Sequence, residues 1–584
     1  MRTTRDDVRK RTLIMRIGAL WLAGALAGCA AIEFDRHSVV PDIRVLPQTG
    51  AVDRPSPPPL EKELRSEGLS AATPVGPGET LHLTVEGAIV MALEHNQSLT
   101  VEEVNPAIRQ TFVSEERSVF DPTLVASYTR TEERLTRELI VQSQIGASAV
   151  AATVELPAET VAKTRVDAGN AGVSQRLPTG TDVSLTFGPS RTSVRNSTSF
   201  PEIVPQGTDT DVNASTLELT VTQKLLRGAG LGVNLASLRQ ARLATLASEY
   251  ELRGFVEDLL SQVEQTYWNC SLAQRQIKIF EESLTLAQSQ ADEVEERIRV
   301  GKVAETERAA AEAEVAQRRS SLIDARSNLD TVRLALLRLL NPSGDSLRTR
   351  DVRLQSEPIM PEIGLDGVED SVELARRMRP DLNQARLQIK QDDIEVVKTN
   401  NGLLPQLDLF INLGKDLNRT AYADSFSVSR QDARDTRHTT QLGVEFSYPI
   451  GNRAARARDE RAALSRQRDQ DALANMTQLV EQDVRAAYIE ISRAREQIAA
   501  TEATRRLQEQ TLQSETEKFR LGRSTTLLVA QAQRDLLSAQ ISEVQAKAAY
   551  LKAIVNLYRL EGTLLERRGV VCPGREPVAL ADAP

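Results

Sequence analysis

The 584-residue chain carries a net charge of −9 and only 4% aromatic residues. Aromatic side chains supply much of the buried area of compact cores, so their scarcity excludes a string of globular domains that the length alone would allow. The acidic balance excludes the basic footprint of a nucleic-acid-binding protein, and the abundance of Ala, Gln, Glu, Arg and Leu points to long helices.

Residues 1–16 are arginine-rich and lead into an apolar run, Ile17–Gly28, that is too short for a membrane-spanning helix. This order reads as a secretory signal over 1–28. Its end, Leu26-Ala27-Gly28-Cys29, resembles the lipobox of bacterial lipoproteins. The resemblance implies cleavage before Cys29 and a diacylglycerol on its sulfur. Ala30 stands where an Asp would signal inner-membrane retention, so outer-membrane delivery is expected. Residues 29–79, with Pro55 and Pro57-Pro58-Pro59, form no core and read as a tether.

From residue 80 the chain repeats itself. Tyr267–Ile277 aligns with Tyr488–Ile498, and Arg299-Val300-Gly301 with Arg520-Leu521-Gly522, at one ungapped shift. Repeat 1 spans 80–340 and repeat 2 spans 369–562, separated by an equatorial segment, 341–368, and followed by a tail, 563–584. Each repeat reads helix, strands, long helix, sharp turn, long helix. Along 235–300 the apolar or small residues step by fours and threes through Leu252, Val256, Leu259, Val263 and Tyr267. Leu537, Ile541, Val544, Ala548 and Leu551 do the same in repeat 2. That period forces left-handed supercoiling against neighbouring helices.

Between helices, apolar and polar residues alternate at 217–222, 407–413 and 442–448, with a weaker fourth strand at 123–128. The helices carry their own seams, so no soluble core layer remains to cover these strands. Apolar-out, polar-in strands suit a membrane barrel with a wet lumen, and the acids Glu218, Asp408 and Glu445 fall on the polar face. About four strands are too few to close, which predicts oligomerisation. Residues 173–177 and 183–187, flanking Pro178-Thr179-Gly180, read either as an external elaboration or as two more strands. The polar stretch 131–170 reads as an exposed or partly disordered loop.

These segments resemble the TolC family of outer-membrane factors over essentially the whole mature chain. The match is carried by Phe120-Asp-Pro-Thr-Leu124, Val221-Thr-Gln-Lys-Leu-Leu-Arg-Gly228, Arg379-Pro-Asp-Leu382, Leu404-Pro-Gln-Leu407, Tyr448-Pro-Ile-Gly451 and Tyr558-Arg-Leu-Glu-Gly562, in that order. The resemblance implies a mainly α fold with membrane β: antiparallel coiled-coil hairpins forming a periplasmic α-barrel, and a homotrimer whose protomers share a twelve-stranded β-barrel. It also implies work with a periplasmic adaptor and an inner-membrane pump or ABC exporter. By motif, adaptor contacts fall on the hairpin tips at Arg299, Gly301, Lys302, Arg520, Gly522, Arg523, Ser524 and Thr525. The periplasmic entrance falls on Thr306 and Glu307, with Leu528 and Gln531 where repeat 2 departs from acidic residues.

No catalytic constellation, cofactor motif or metal-ligand spacing is present in the sequence: His37, His82, His95 and His438 are scattered, and Cys29, Cys270 and Cys572 fit no zinc or disulfide framework. A Cys270–Cys572 bridge stays open. Gly228-Ala-Gly-Leu-Gly232 lacks the βαβ setting of a phosphate loop and reads as a flexible strand-to-helix corner. A passive duct is thus expected, not an enzyme. The alternative is a coiled-coil lipoprotein that spaces the envelope without conducting.

Overall fold

The computed structural model describes residues 44–45, 81–145, 152–200, 203–341, 352–356, 367–419 and 437–579. The chain divides into Met1–Pro41 and Asp42–Pro584, and everything described lies in the second unit. The signal segment, Cys29, nearly all of the tether and much of 341–368 lie outside the described residues.

The repeat is visible in element lengths. Helices α1 (Val85–His95) and α2 (Gln97–Ser118) have 11 and 22 residues, and so do α5 (Val368–Met378) and α6 (Pro380–Asn401). The long hairpins are α3 (Ala236–Arg299, 64 residues) with α4 (Thr306–Leu340, 35 residues), and α7 (Arg453–Arg520, 68 residues) with α8 (Thr526–Glu561, 36 residues). Helix starts follow local chemistry: the Thr84 hydroxyl accepts from the Gly87 N–H at 3.1 Å, and Pro380, which has no N–H to leave unpaired, opens α6. The α3 helix is roughly 95 Å long at ~1.5 Å per residue, a length that only packing along its whole seam stabilises.

That packing is present. Leu252, Val256, Leu259, Val263 and Tyr267 on α3 are buried in one cluster with Val480, Val484 and Ile491 of α7 and with Leu551, Val555 and Leu557 of α8. Each repeat tyrosine locks its half into an equatorial layer. The Tyr267 hydroxyl donates to the Leu83 carbonyl at 3.0 Å and accepts from the Ser356 N–H at 3.1 Å, and the Tyr488 and Ser371 hydroxyls pair at 2.7 Å. Two short sheets complete this layer: β2 (Leu81–Leu83) runs parallel to β7 (Val352–Leu354), and β1 (Arg44–Val45) runs antiparallel to β10 (Val570–Val571). Cys270 and Cys572 are both buried and free, so the open question of their bridge closes.

The large sheet differs from expectation. It has six antiparallel strands in the order β3 (Thr123–Ile145), β4 (Ala152–Arg176), β5 (Thr181–Phe200), β6 (Ile203–Lys224), β8 (Gln406–Arg419) and β9 (Arg437–Ser447). The protomer supplies two strands more than the four expected. Residues 173–176 and 183–187, left open by the sequence, lie in two strands of this sheet. The expected loop at 131–170 is strand wherever it is described. Its strands escaped notice because neither face alternates in hydrophobicity there; opposite charges face each other instead, as in Arg130–Asp167 at 3.2 Å and Arg165–Glu132. Among the described residues no helix is long and apolar enough to cross a membrane.

Candidate functional site

The sheet register sorts side chains into two faces. One cross-strand row runs Leu124–Val173–Leu185–Leu219–Leu413, and the neighbouring parallel row ends in Val221–Ile411–Leu442. These side chains are largely uncovered; Leu124 is 80% and Phe446 66% exposed. An apolar face continuous across six strands is far larger than soluble monomers leave in water. On the opposite face Lys224 stands beside Asp408 and Asp408 beside Glu445, with Glu218 three rows above. The three sequence-assigned acids therefore share the polar face. Glu218 and Glu445 are exposed, whereas Asp408 is buried and its Oδ2 accepts from the Gln406 amide at 2.7 Å. Phe410 lies on this face over Gly443, where a Cβ would fall 2.3 Å from the ring.

The glycine corner is not flexible. Its Gly228 N–H donates to Asn401 Oδ1 at 2.7 Å, and the Asn234 amide donates to the Gly228 and Gly230 carbonyls, each at 2.8 Å. The Gly230 N–H donates to the Thr179 carbonyl at 3.2 Å, so the β4–β5 turn is docked on the corner. A Cβ on Gly180 would lie 2.4 Å from the Gly228 carbonyl oxygen.

At the far end the two tips are one motif used twice. The Gly301 N–H donates to Ile298 O at 2.9 Å and the Lys302 N–H to Arg297 O at 2.9 Å; the Gly522 and Arg523 N–H groups repeat this to Phe519 O and Lys518 O at 3.0 and 2.8 Å. Both glycines have φ of 70°, the left-handed backbone of a Schellman cap. Arg299, Lys302, Arg520 and Arg523 are exposed. The Ser524 hydroxyl donates to Glu515 Oε2 at 2.8 Å, and the Thr525 hydroxyl caps α8 by accepting from the Leu528 N–H at 3.4 Å.

Beside the tips, Thr306, Leu528 and Gln531 are exposed near the starts of α4 and α8. Of these four, Glu307 bonds to the other hairpin: its carboxylate accepts from the Thr526 hydroxyl. Sequence reasoning missed Thr526, and it missed Arg297, which donates to the Phe519 carbonyl at 3.0 Å and lies 4.2 Å over the Phe519 ring. Phe519 packs with Val294 and Val529 in a small apolar cluster under both turns. The available signal was Phe519 itself, an aromatic three residues before the capping glycine in a chain poor in aromatics.

Near the equator the tail is held by buried charge. Arg253, 1% exposed, donates to Glu566 Oε1 at 2.6 Å and to the Gly562 carbonyl at 3.2 Å, while Glu257 lies 3.4 Å away. One guanidinium faces two acidic side chains, and Glu566 has the closer contact. Burial pushes the Glu257 carboxyl up to about 8, against the opposing pull of Arg253. Arg568 grips the fully buried Glu264 with two bonds of 2.7 and 2.6 Å. Among the described residues no three acidic, His or Cys side chains are placed to hold a metal ion.

A sheet apolar on one face and polar on the other, continuous with paired coiled-coil hairpins, defines a TolC-like outer-membrane channel protein. The model of the outer membrane efflux protein family matches residues 160–342 and 372–563, and the chain belongs to that family. It is similar to the pyoverdine export outer membrane protein OpmQ of Pseudomonas aeruginosa, 26% identical over 344 residues, which are 57% of this chain and 67% of that one. Its fold matches the CmeC outer membrane channel of Campylobacter jejuni with a TM-score of 0.58 at 16% identity, over 87% of this chain and 94% of CmeC. The open MtrE outer membrane channel of Neisseria gonorrhoeae matches with a TM-score of 0.55 at 16% identity, over 85% and 96%.

Proposed function

We propose that this protein is the passive exit duct of a three-part export system: a homotrimer in the outer membrane, anchored by lipid on Cys29, whose periplasmic hairpins meet an adaptor protein fed by an inner-membrane pump or ABC exporter. One observation carries the reading. The exposed apolar face of the sheet and the two coiled-coil hairpins belong to one continuous chain, so a lipid-facing surface leads directly into an elongated helical body. Every strand in lipid needs a partner, and the two edge strands find theirs only in other copies.

Cargo is driven by the partner, a reading supported by a sequence that carries no nucleotide-binding or ion-coupling motif. The exposed tip side chains Arg299, Lys302, Arg520 and Arg523, with Ser524 and Thr525 between the turns, are the adaptor-facing surface. Thr306, Glu307, Leu528 and Gln531 line the entrance behind them. In the barrel, Glu218 and Glu445 give the lumen a negative potential that favours cations, with Asp408 contributing less because it is covered.

The test is electrical. Purified protein in planar bilayers should conduct, and reversal potentials across a salt gradient should show cation preference that weakens in the Glu218→Gln/Glu445→Gln variant. A water-soluble monomer without conductance would establish the coiled-coil spacer instead. Replacing Cys29 with Ser should release the lipid, seen as loss of the acyl mass.

A further inference from the structure

We propose that three copies of this chain close an eighteen-stranded barrel, wider than the twelve-stranded one implied by its family resemblance, with β3 of each protomer paired to β9 of the next. The inference rests on the trimeric channel reading above and adds to it the composition and width of the pore wall.

The added strands are wall, not decoration. Strands β4 and β5 lie inside the sheet, between β3 and β6. Their Val173 and Leu185 occupy the middle of the apolar row that starts at Leu124 and ends at Leu413, at one level across the sheet. The turn between them comes down to the same level as the strand-to-helix corner, where Thr179 and Gly180 accept from Gly230 and Lys224 N–H groups, both at 3.2 Å. Excluding this hairpin from the membrane would separate β3 from β6 and break both ladders that hold it.

The occupant of the free edges is a second copy. Antiparallel order from β3 to β9 over six strands leaves the two edges pointing in opposite directions, so β3 of one protomer meets β9 of its neighbour antiparallel, as up-and-down barrels require. The helix feeding β3 carries an uncovered stripe, Val101, Val104, Ile108 and Phe112, on one helical face. That stripe continues the β3 edge down into the helical layer, so strand and helix form one interface. Barrel diameter grows roughly linearly with strand number. With ~4.8 Å between strands and a tilt of ~40°, the backbone diameter rises from about 24 Å to about 36 Å, roughly doubling the cross-section.

Engineered cysteine pairs in the full-length chain, reconstituted in lipid, test this. A Cys in β3 at Val125, combined in turn with Cys at positions 439, 441 and 445 of β9, should give covalent trimers at one register on mild oxidation. The Val125→Cys/Thr220→Cys pair, β3 with β6, should give no bridge, because two strands stand between them and disulfides need Cα atoms within about 7 Å. A β3–β6 bridge formed inside one protomer would mean that β4 and β5 leave the wall, and would overturn the eighteen-stranded count while keeping the trimer. Monomers with no intermolecular bridge at any pair would instead remove the trimeric channel itself.

Discussion

The hydroxyl of Thr526, at the start of one hairpin's return helix, donates to the carboxylate of Glu307, at the start of the other's, across 219 residues of chain. The bond ties the two tips of a protomer at the point where the entrance is proposed to narrow. A hydrogen bond to a charged group is worth about 1.5–3 kcal/mol, enough to shift a two-state tip equilibrium by tenfold or more. Thr526→Val should therefore raise the open fraction in single-channel recordings by about that factor. Glu307→Gln, which keeps an acceptor oxygen, should do less. Identical gating in Thr526→Val and the parent would remove the tie from the mechanism.

The capping glycines rank by what surrounds them. Gly301 and Gly522 have φ of 70° and nothing within 4 Å of a would-be Cβ, so Ala there meets only the left-handed backbone penalty, about 1–2 kcal/mol. Gly562 has the same φ, but its Cβ would also press on the Met378 carbonyl carbon at 2.9 Å and the Arg379 nitrogen at 3.0 Å. Gly562→Ala should lower the thermal midpoint clearly more than either tip variant. Equal shifts would show that the α5–α6 junction yields easily.

Glu257 makes stability depend on pH in a defined direction. Its folded carboxyl keeps a proton up to about pH 8, while in the unfolded chain it releases it near the ordinary value of about 4.3. Between those values the folded state binds the extra proton, so this group's contribution to stability falls as pH rises from about 4.5 to 8. Glu257→Gln should match the parent near pH 4 and exceed it at pH 9, read as thermal midpoints. Parallel curves would mean that Arg253 holds Glu257 ionised.

Arg568 and Glu264 form a pair in which one partner has no access to water. Arg568→Met strands a buried carboxylate, and breaking such a pair costs about 3–5 kcal/mol. Adding Glu264→Gln should recover most of that loss. A double variant as unstable as the single one would place the cost in packing of the tail, not in charge.

Burial holds the Cys270 and Cys572 thiols at about 11 and 12, so neither is a thiolate at neutral pH. Maleimide should label neither in the native protein and both after denaturation, counted by mass spectrometry. Native labelling of Cys572 would show that the C-terminal tail opens.

How much of this was legible depended on whether the signal was local. The 221-residue shift located both tips, and the apolar steps of fours and threes located α3 and α8, because a seam writes its period into one stretch of sequence. Thr123–Tyr128 was found although weak, since part of it faces the apolar side. Residues 131–170 were misread as loop because charged and apolar residues are mixed there without alternation, which leaves no period-two signal. The glycines at 228–232 suggested looseness, whereas their N–H and carbonyl groups are engaged by Asn401, Asn234 and Thr179.

By itself the sequence determined the two-fold plan, the helical hairpins with their capping glycines, and a sheet with one apolar and one polar face, because helix caps, seams and strand alternation are properties of neighbouring residues. Only the tertiary structure decided that the sheet has six strands, that Glu307 and not Thr306 reaches the opposite tip, and that Glu257 shares an arginine with Glu566. Those outcomes depend on which distant backbones lie side by side and which side chains lose water when they do, and neither is encoded within any single stretch of the chain.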